Sequence, residues 1–212
     1  MKSAKEFWDK SAARYAKSPV RDEAVYQKKL TITQEYLQPD WSILEFGCGT
    51  GSTAIIHAPC VRHIVASDIS SRMLEIAEAK AREAGIGNIS FQQGTLEELR
   101  LTPESFDAVL GLNVLHLLED VNAAIVQVHD LLKPGGIFVS STALVNNISL
   151  FWRLTIPLMQ LLGLAPHVSR FDKQELLSML TKAGFTPVFE WQPDQASVFI
   201  VARKPASIPA NQ

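Results

Sequence analysis

The sequence predicts a doubly wound α/β protein on a seven-stranded, mostly parallel sheet, and three observations carry that prediction. From residue 42 onward, short apolar runs alternate with amphipathic stretches, the pattern of βαβ units. The first run passes directly into a glycine-rich segment, Gly47-Cys48-Gly49-Thr50-Gly51, that opens a helix. The last two runs flank Pro193-Asp194 and read as a hairpin, which puts one antiparallel strand on the sheet because a tight turn cannot join parallel neighbours.

Taken in order, residues 1–38 read as a cap of two helices. Phe7, Ser11 and Tyr15 recur at four-residue spacing, and Val25, Leu30, Ile32 and Leu37 mark the second segment after the Ser18-Pro19 break. The main domain spans 39–204, with strands predicted at 42–46, 63–68, 89–93, 106–112 and 136–144, each rich in Val, Ile, Leu or Phe. A helix over 71–84 has Ser70 as N-cap, Gly85 as stop, and Met73, Ile76, Ala77 and Ala84 on one side. Another over 121–132 ends at Lys133-Pro134-Gly135-Gly136. An apolar insertion at 146–171 contains Arg153 and Pro157 and falls short of the ~20 apolar residues a bilayer span needs. A helix at 173–183, strands at 185–191 and 197–203, and a flexible tail at 205–212 complete the chain.

Of the 212 residues, 47% are hydrophobic and 20% charged, enough to build a core. The 20 Lys+Arg against 22 Asp+Glu give a net charge of −2, so no positive field attracts a phosphate backbone, and nucleic acid is excluded as a partner. Cys48 and Cys60 form no C-x-x-C pair, which fits a reducing compartment. The charged, amphipathic N-terminus lacks the apolar core of a secretory signal, and a cytoplasmic protein is expected.

Glycines at the end of the first strand permit a tight turn and let a ligand lie against the backbone. Asp68 ends the second strand 17 residues after Gly51, where a carboxylate can accept both hydroxyls of a ribose. These features suit any adenosine-containing cofactor. Three others favour S-adenosylmethionine (SAM) over a dinucleotide. Ser52 stands where G-x-G-x-x-G has its third glycine; Glu45 would repel a pyrophosphate yet hold the ammonium of a methionine moiety; and the chain ends in a hairpin.

The chain resembles the class I SAM-dependent methyltransferase family, and its small-molecule branch in particular, over about residues 5–204. ILEFGCGTG looks like the family's first motif, Asp68 its ribose-binding acid, FDAVLGLNVLHLLED its fourth-strand motif and LLKPGGIFV its entry to the fifth strand. FWDKSAARY resembles the N-terminal helix of quinone- and lipid-type methyltransferases, whose tyrosine closes over SAM. The resemblance implies a Rossmann-like methyltransferase fold and SAM as cofactor, with S-adenosyl-L-homocysteine as product. It implies a cofactor-binding set of Tyr15, Glu45, Gly47, Cys48, Gly49, Gly51, Asp68, Ile69, Met73, Gly94, Thr95, Leu96 and Asn113.

Two departures from the family pattern bear on affinity and acceptor. Where the family usually has an Asp for the adenine amino group, this chain has Gly94-Thr95-Leu96; the Thr95 hydroxyl can accept a hydrogen bond and the backbone of Thr95 and Leu96 can frame the ring. Asn113 is followed by Val114-Leu115 and not by Pro-Pro-aromatic, which disfavours amide and adenine nitrogens and leaves oxygen or carbon acceptors. No acidic cluster suggests a metal.

His116, just beyond the fourth strand, is the candidate catalytic base, and a packed structural histidine is the other reading of the same residue. The insertion's Phe151, Trp152, Leu154, Met159 and Leu161 either roof a pocket for a lipophilic acceptor or pack on the core or a dimer partner. His167 and Arg170 lie at its end and read either as partners for an acceptor's polar group or, by preference, as solvated surface residues. A monomer or homodimer acting on a small, lipophilic molecule is expected, with peripheral membrane contact compatible with the insertion. The rival functions are a nicotinamide-dependent oxidoreductase and a non-catalytic SAM-binding subunit.

Overall fold

The structure, a computed structural model, describes residues 4–144 and 167–206. Most of the insertion and residues 207–212 of the tail lie outside the described residues, and with them the roofing role of Phe151, Trp152, Leu154, Met159 and Leu161.

Two helices, α1 (Ala4–Lys17) and α2 (Glu23–Tyr36), precede β1 (Ser42–Phe46) and the short α3 (Ser52–His57). Then come β2 (His63–Asp68), α4 (Ser71–Glu83), β3 (Ile89–Gln93), β4 (Phe106–Leu112), α5 (Val121–Leu131) and β5 (Leu132–Ala143). Helix α6 (Lys173–Lys182) and the hairpin β6 (Thr186–Asp194) and β7 (Ser197–Arg203) follow. The strand order is β3-β2-β1-β4-β5-β7-β6, and β7 alone runs antiparallel to its neighbours, as the predicted hairpin requires.

The strands read as unbroken apolar runs because helices cover both faces. Side chains alternate between the faces with period two. Leu44 and Phe46 join Phe138, Ile200, Ile125 and Leu176 in one core, under α5 and α6. Ile43 joins Ile64, Ala108, Ile137 and Phe199 in the other, with Ile32 of α2, Ala54 of α3 and Leu74 of α4. The order reverses at β1 and β4, whose carboxyl ends open the crevice where ligands of such sheets bind.

Several boundaries differ from the sequence expectation. Strand β5 begins at Leu132, not at residue 136, with the breaker residues inside it as an irregularity: the register passes from Phe106↔Leu132 to Ala108↔Ile137. Lys133 pairs with Asp107 at 2.7 Å, and the Gly135 N–H donates to the Lys204 carbonyl, so this stretch stays tied to the sheet. Strand β6 carries Pro193 and Asp194, which the hairpin reading assigned to the turn; an edge strand tolerates proline because the missing N–H faces away from the ladder. The turn itself is Gln195-Ala196, held by the Ala196 N–H donating to Asp194 Oδ1 at 2.8 Å. In α4, Leu74 and Ala81 join Met73 and Ala77 on the buried face, while Ile76 is half-buried and Ala84 exposed.

No helix among the described residues is long and apolar enough to cross a membrane.

Candidate functional site

The glycine loop owes its residue types to two contacts. Gly47 has φ +65°, and a Cβ there would lie 2.5 Å from Val114 Cγ2. Gly51 has φ +72°, and its Cβ would lie 2.7 Å from the Cβ of Ala77, so the glycine lets α4 pack against the start of α3. Between them, the Cys48 N–H donates to the Ser67 carbonyl at 2.8 Å and moors the loop to β2.

That mooring places Asp68. Its Oδ2 accepts from the Gly49 N–H and its Oδ1 from the Ser70 N–H, each at 2.9 Å. Burial pushes its carboxyl up, while these two donors pull it down. The carboxylate is therefore fixed in direction, with lone pairs left for a ligand.

Asp68 lines a cleft of about 900 Å³ of non-protein space, part of it open to solvent. Of the predicted cofactor residues, Tyr15, Gly47, Gly49, Asp68, Ile69, Met73, Gly94, Thr95, Leu96 and Asn113 converge on its walls. Glu45, Cys48 and Gly51 do not line it and are buried behind the loop. Burial drives the Cys48 thiol well up, which leaves it un-ionised. Glu45 is 3% exposed, its Oε2 meets no donor among the described residues, and burial pushes its pKa up to about 8.

Thr95 is already engaged. Its N–H donates to Glu98 Oε2 at 2.8 Å and its hydroxyl accepts from the Glu98 N–H at 3.3 Å, so the backbone donor expected to frame a ring is spent locally. Asn113 sits at φ +58°, a conformation asparagine tolerates better than most residues. Its N–H donates to the Ser141 carbonyl at 2.6 Å.

His116 lies on the short 3₁₀ turn Leu115–Leu117 and does not line the cleft. Its Nδ1 is 3.1 Å from Thr142 Oγ1, and burial lowers its pKa to about 4. His167 does line the cleft, with Nε2 3.0 Å from Ser169 Oγ, and Arg170 is exposed.

Trp8, Leu117 and Leu118 line the cleft without having been singled out. Trp8 had a signal: it stands seven residues before Tyr15, two helical turns away on the same face, and their rings meet edge-on at 6.2 Å. Leu117 and Leu118 had none, since an apolar residue beyond a strand looks the same whether it faces core or ligand.

These residues fit SAM. An acid fixed by backbone donors suits ribose hydroxyls, and Ile69, Met73 and Leu96 offer apolar walls. The Glu45 oxygen that has no partner among the described residues is a buried acceptor suited to a cation, and burial, with Glu45 once ionised adding to it, raises the pKa of the Tyr15 phenol.

Residues 43–136 match the methyltransferase domain family. Over 174 residues the chain is 32% identical to the ubiquinone biosynthesis O-methyltransferase of Rickettsia canadensis, a match covering 79% of this chain and 71% of that protein. It is 33% identical over 123 residues to the methyltransferase YcgJ of Bacillus subtilis, covering 56% of this chain and 49% of YcgJ. The YcgJ crystal structure superposes with a TM-score of 0.71 at 20% identity, over 85% of this chain and 100% of that one. The geranyl diphosphate C-methyltransferase of Streptomyces coelicolor, solved with Mg²⁺, geranyl diphosphate and S-adenosyl-L-homocysteine, shares the fold at a TM-score of 0.71 and 15% identity, over 86% of this chain and 79% of that one. In sequence, the chain spans about half the length of YcgJ and 60% of another ubiquinone biosynthesis O-methyltransferase, that of Cereibacter sphaeroides. Because the Rickettsia match extends over most of both proteins and the sheet is the one these enzymes share, the chain belongs to the class I SAM-dependent methyltransferase family.

Proposed function

We propose that this protein transfers the methyl group of SAM to an oxygen atom of a small, lipophilic acceptor. The observation that carries the proposal is Asp68, a carboxylate aimed by two backbone donors into a cleft of cofactor size. In this reading Asp68 holds the ribose, and Ile69, Met73, Gly94, Thr95 and Leu96 enclose the adenine. Gly47, Cys48, Gly49 and Gly51 shape the loop, Tyr15 covers the methionine end, and Glu45 balances its ammonium. Asn113, at the end of β4, marks where the methyl group is presented.

SAM supplies a methyl group already activated by a sulfonium, so the protein's task is alignment and exclusion of water more than acid–base chemistry. Leu112, Val114, Leu117 and Leu118 surround the Asn113 end of the cleft with apolar surface, which supports a lipophilic acceptor. The relatives named ubiquinone biosynthesis O-methyltransferases support oxygen over carbon as the methylated atom. For His116, the Thr142 contact and its place off the cleft favour support of the β5 end over a role as base. Two free thiols, Cys48 and Cys60, support a reducing, cytoplasmic setting.

Calorimetric titration with S-adenosylhomocysteine and NADH in parallel tests the cofactor. Micromolar binding of S-adenosylhomocysteine alone, weakened at least about tenfold in Asp68→Ala, is expected for a lost charge-assisted pair of hydrogen bonds. Binding of NADH alone would sink the proposal in favour of an oxidoreductase. Turnover of polar acceptors and of no phenol, quinol or fatty acid would end the lipophilic reading, and no S-adenosylhomocysteine formed with any acceptor would leave a SAM-binding subunit.

A further inference from the structure

A second cavity, of about 310 Å³ of non-protein space, part of it open to solvent, lies between α2, α3 and the ends of β4 and β5. It shares Leu112 and Asn113 with the main cleft and includes neither Asp68 nor the loop glycines, so it starts where the cofactor cradle stops. Its wall is largely apolar, yet two of its polar side chains are unusually placed. His57 is fully buried, and neither ring nitrogen has a partner among the described residues. Opposite it on α2, Tyr26 and Lys29 share one helix face. Lys29 is half-buried, and its Nζ donates to Ser141 Oγ at 2.8 Å, while the Ser141 hydroxyl donates to Asn113 Oδ1 at 3.3 Å.

Lys29 has no carboxylate within salt-bridge distance among the described residues, and residues 1–3, 145–166 and 207–212 contain no Asp or Glu. Asp194 acts on it only as a more distant charge. A partly desolvated ammonium with no anion beside it, facing an imidazole with no partner, both among the described residues, is a site that lacks its ligand's charge. Burial keeps His57 neutral, with a pKa lowered to about 4, so it adds one donor and one acceptor without competing for that charge.

We propose that this cavity seats the methyl acceptor and that Lys29 selects acceptors with an acidic oxygen, a phenol, enol or carboxylic acid, bound as the anion. The inference rests on the methyltransferase reading above. The acceptor's proton goes to solvent on binding; its oxygen then forms the new bond to the methyl carbon as the carbon–sulfur bond breaks, and the electron pair stays on sulfur. A neutral methyl ether (from a phenol or enol) or methyl ester (from a carboxylic acid) and a thioether result from an anion and a sulfonium, so charge balances.

The test is titration of the S-adenosylhomocysteine-saturated protein with 4-nitrophenol, just above that probe's own pKa, with neutral 4-nitrotoluene as the shape control. Lys29→Met is expected to weaken nitrophenolate binding about tenfold or more, Lys29→Arg to keep it within about threefold, and nitrotoluene and S-adenosylhomocysteine affinities to stay unchanged. Absence of nitrophenolate binding to the wild-type complex overturns the inference, as does an equal loss of nitrotoluene in Lys29→Met, which would mean packing. A selective loss of S-adenosylhomocysteine affinity also overturns it, by giving the ammonium to the cofactor's carboxylate. If the wild type binds no S-adenosylhomocysteine at all, the methyltransferase reading itself fails, and that result is separable because it precedes any probe.

Discussion

Glu45 is held at the end of β1 as a neutral acid: burial raises its pKa from the ordinary 4.5 to about 8. An acid whose folded pKa lies above its unfolded one contributes stability that is complete below the unfolded value and is lost as pH rises through the folded one. Between pH 4.5 and about 8 the unliganded protein therefore loses stability on this account. Glu45→Gln removes the loss, and thermal melts should show the variant equal to wild type below pH 4.5 and more stable above pH 8, by on the order of a few kcal/mol. If Glu45 takes the cofactor's ammonium, S-adenosylhomocysteine binding at neutral pH releases a proton in the wild type and none in the variant, which calorimetry in two buffers reads directly. His116 is a second residue-scale case. General-base catalysis contributes about a hundredfold or more, so His116→Asn, expected to leave kcat within about threefold, would expose a base if kcat fell that far.

At the scale of elements, α1 reaches the cofactor cleft through Trp8 and Tyr15, and one side chain clasps it to α4. Asp9 Oδ1 accepts from the Ser70 hydroxyl at 2.6 Å and from the Arg72 N–H at 3.4 Å. Ser70 is also the N-cap of α4 and follows Asp68 by two residues, so the clasp ties the cover to the ribose-holding corner. Asp9→Ala should raise the dissociation rate of S-adenosylhomocysteine about fivefold in stopped-flow displacement, with under ~1 kcal/mol lost from global stability, as suits one partly exposed hydrogen-bonded contact. The existence of α1 was legible from its four-residue spacing and α4's start from Ser70, because caps and periodicity are local. The clasp was not: Asp9 and Ser70 are 61 residues apart, and nothing in either neighbourhood points to the other.

At the scale of the whole molecule, ligand and fold are coupled, because the cleft is walled by α1, the β1 loop, the β2 end with the first turn of α4, the segments after β3 and β4, and His167. A ligand at about a hundred times its dissociation constant adds ~2.7 kcal/mol to the folded state. Differential scanning fluorimetry should therefore show saturating S-adenosylhomocysteine raising Tm by about 5–10 °C, given ~2–4 °C per kcal/mol at this chain length. No rise, with binding seen by calorimetry, would mean that the unfolded chain binds equally well, contrary to a site assembled from segments far apart in the chain.

The amino-acid sequence by itself determined the sheet, its one antiparallel strand, the glycine loop and Asp68. Each depends on a local pattern: apolar runs, turn residues, or a fixed number of residues after a strand. Strand limits at β5 and β6 were less legible, because Lys133–Asp107 pairing and the edge position of β6 draw turn-forming residues into strands. Only the tertiary structure decided that Glu45 is buried with its Oε2 lacking a donor among the described residues, that Glu98 occupies Thr95, and that His116 faces Thr142. It alone decided that Lys29 meets Ser141 across 112 residues of chain. Desolvation and hydrogen-bond partnership belong to the packed interior, where groups from distant segments compete for the same few donors and acceptors, and no spacing along the chain encodes who wins.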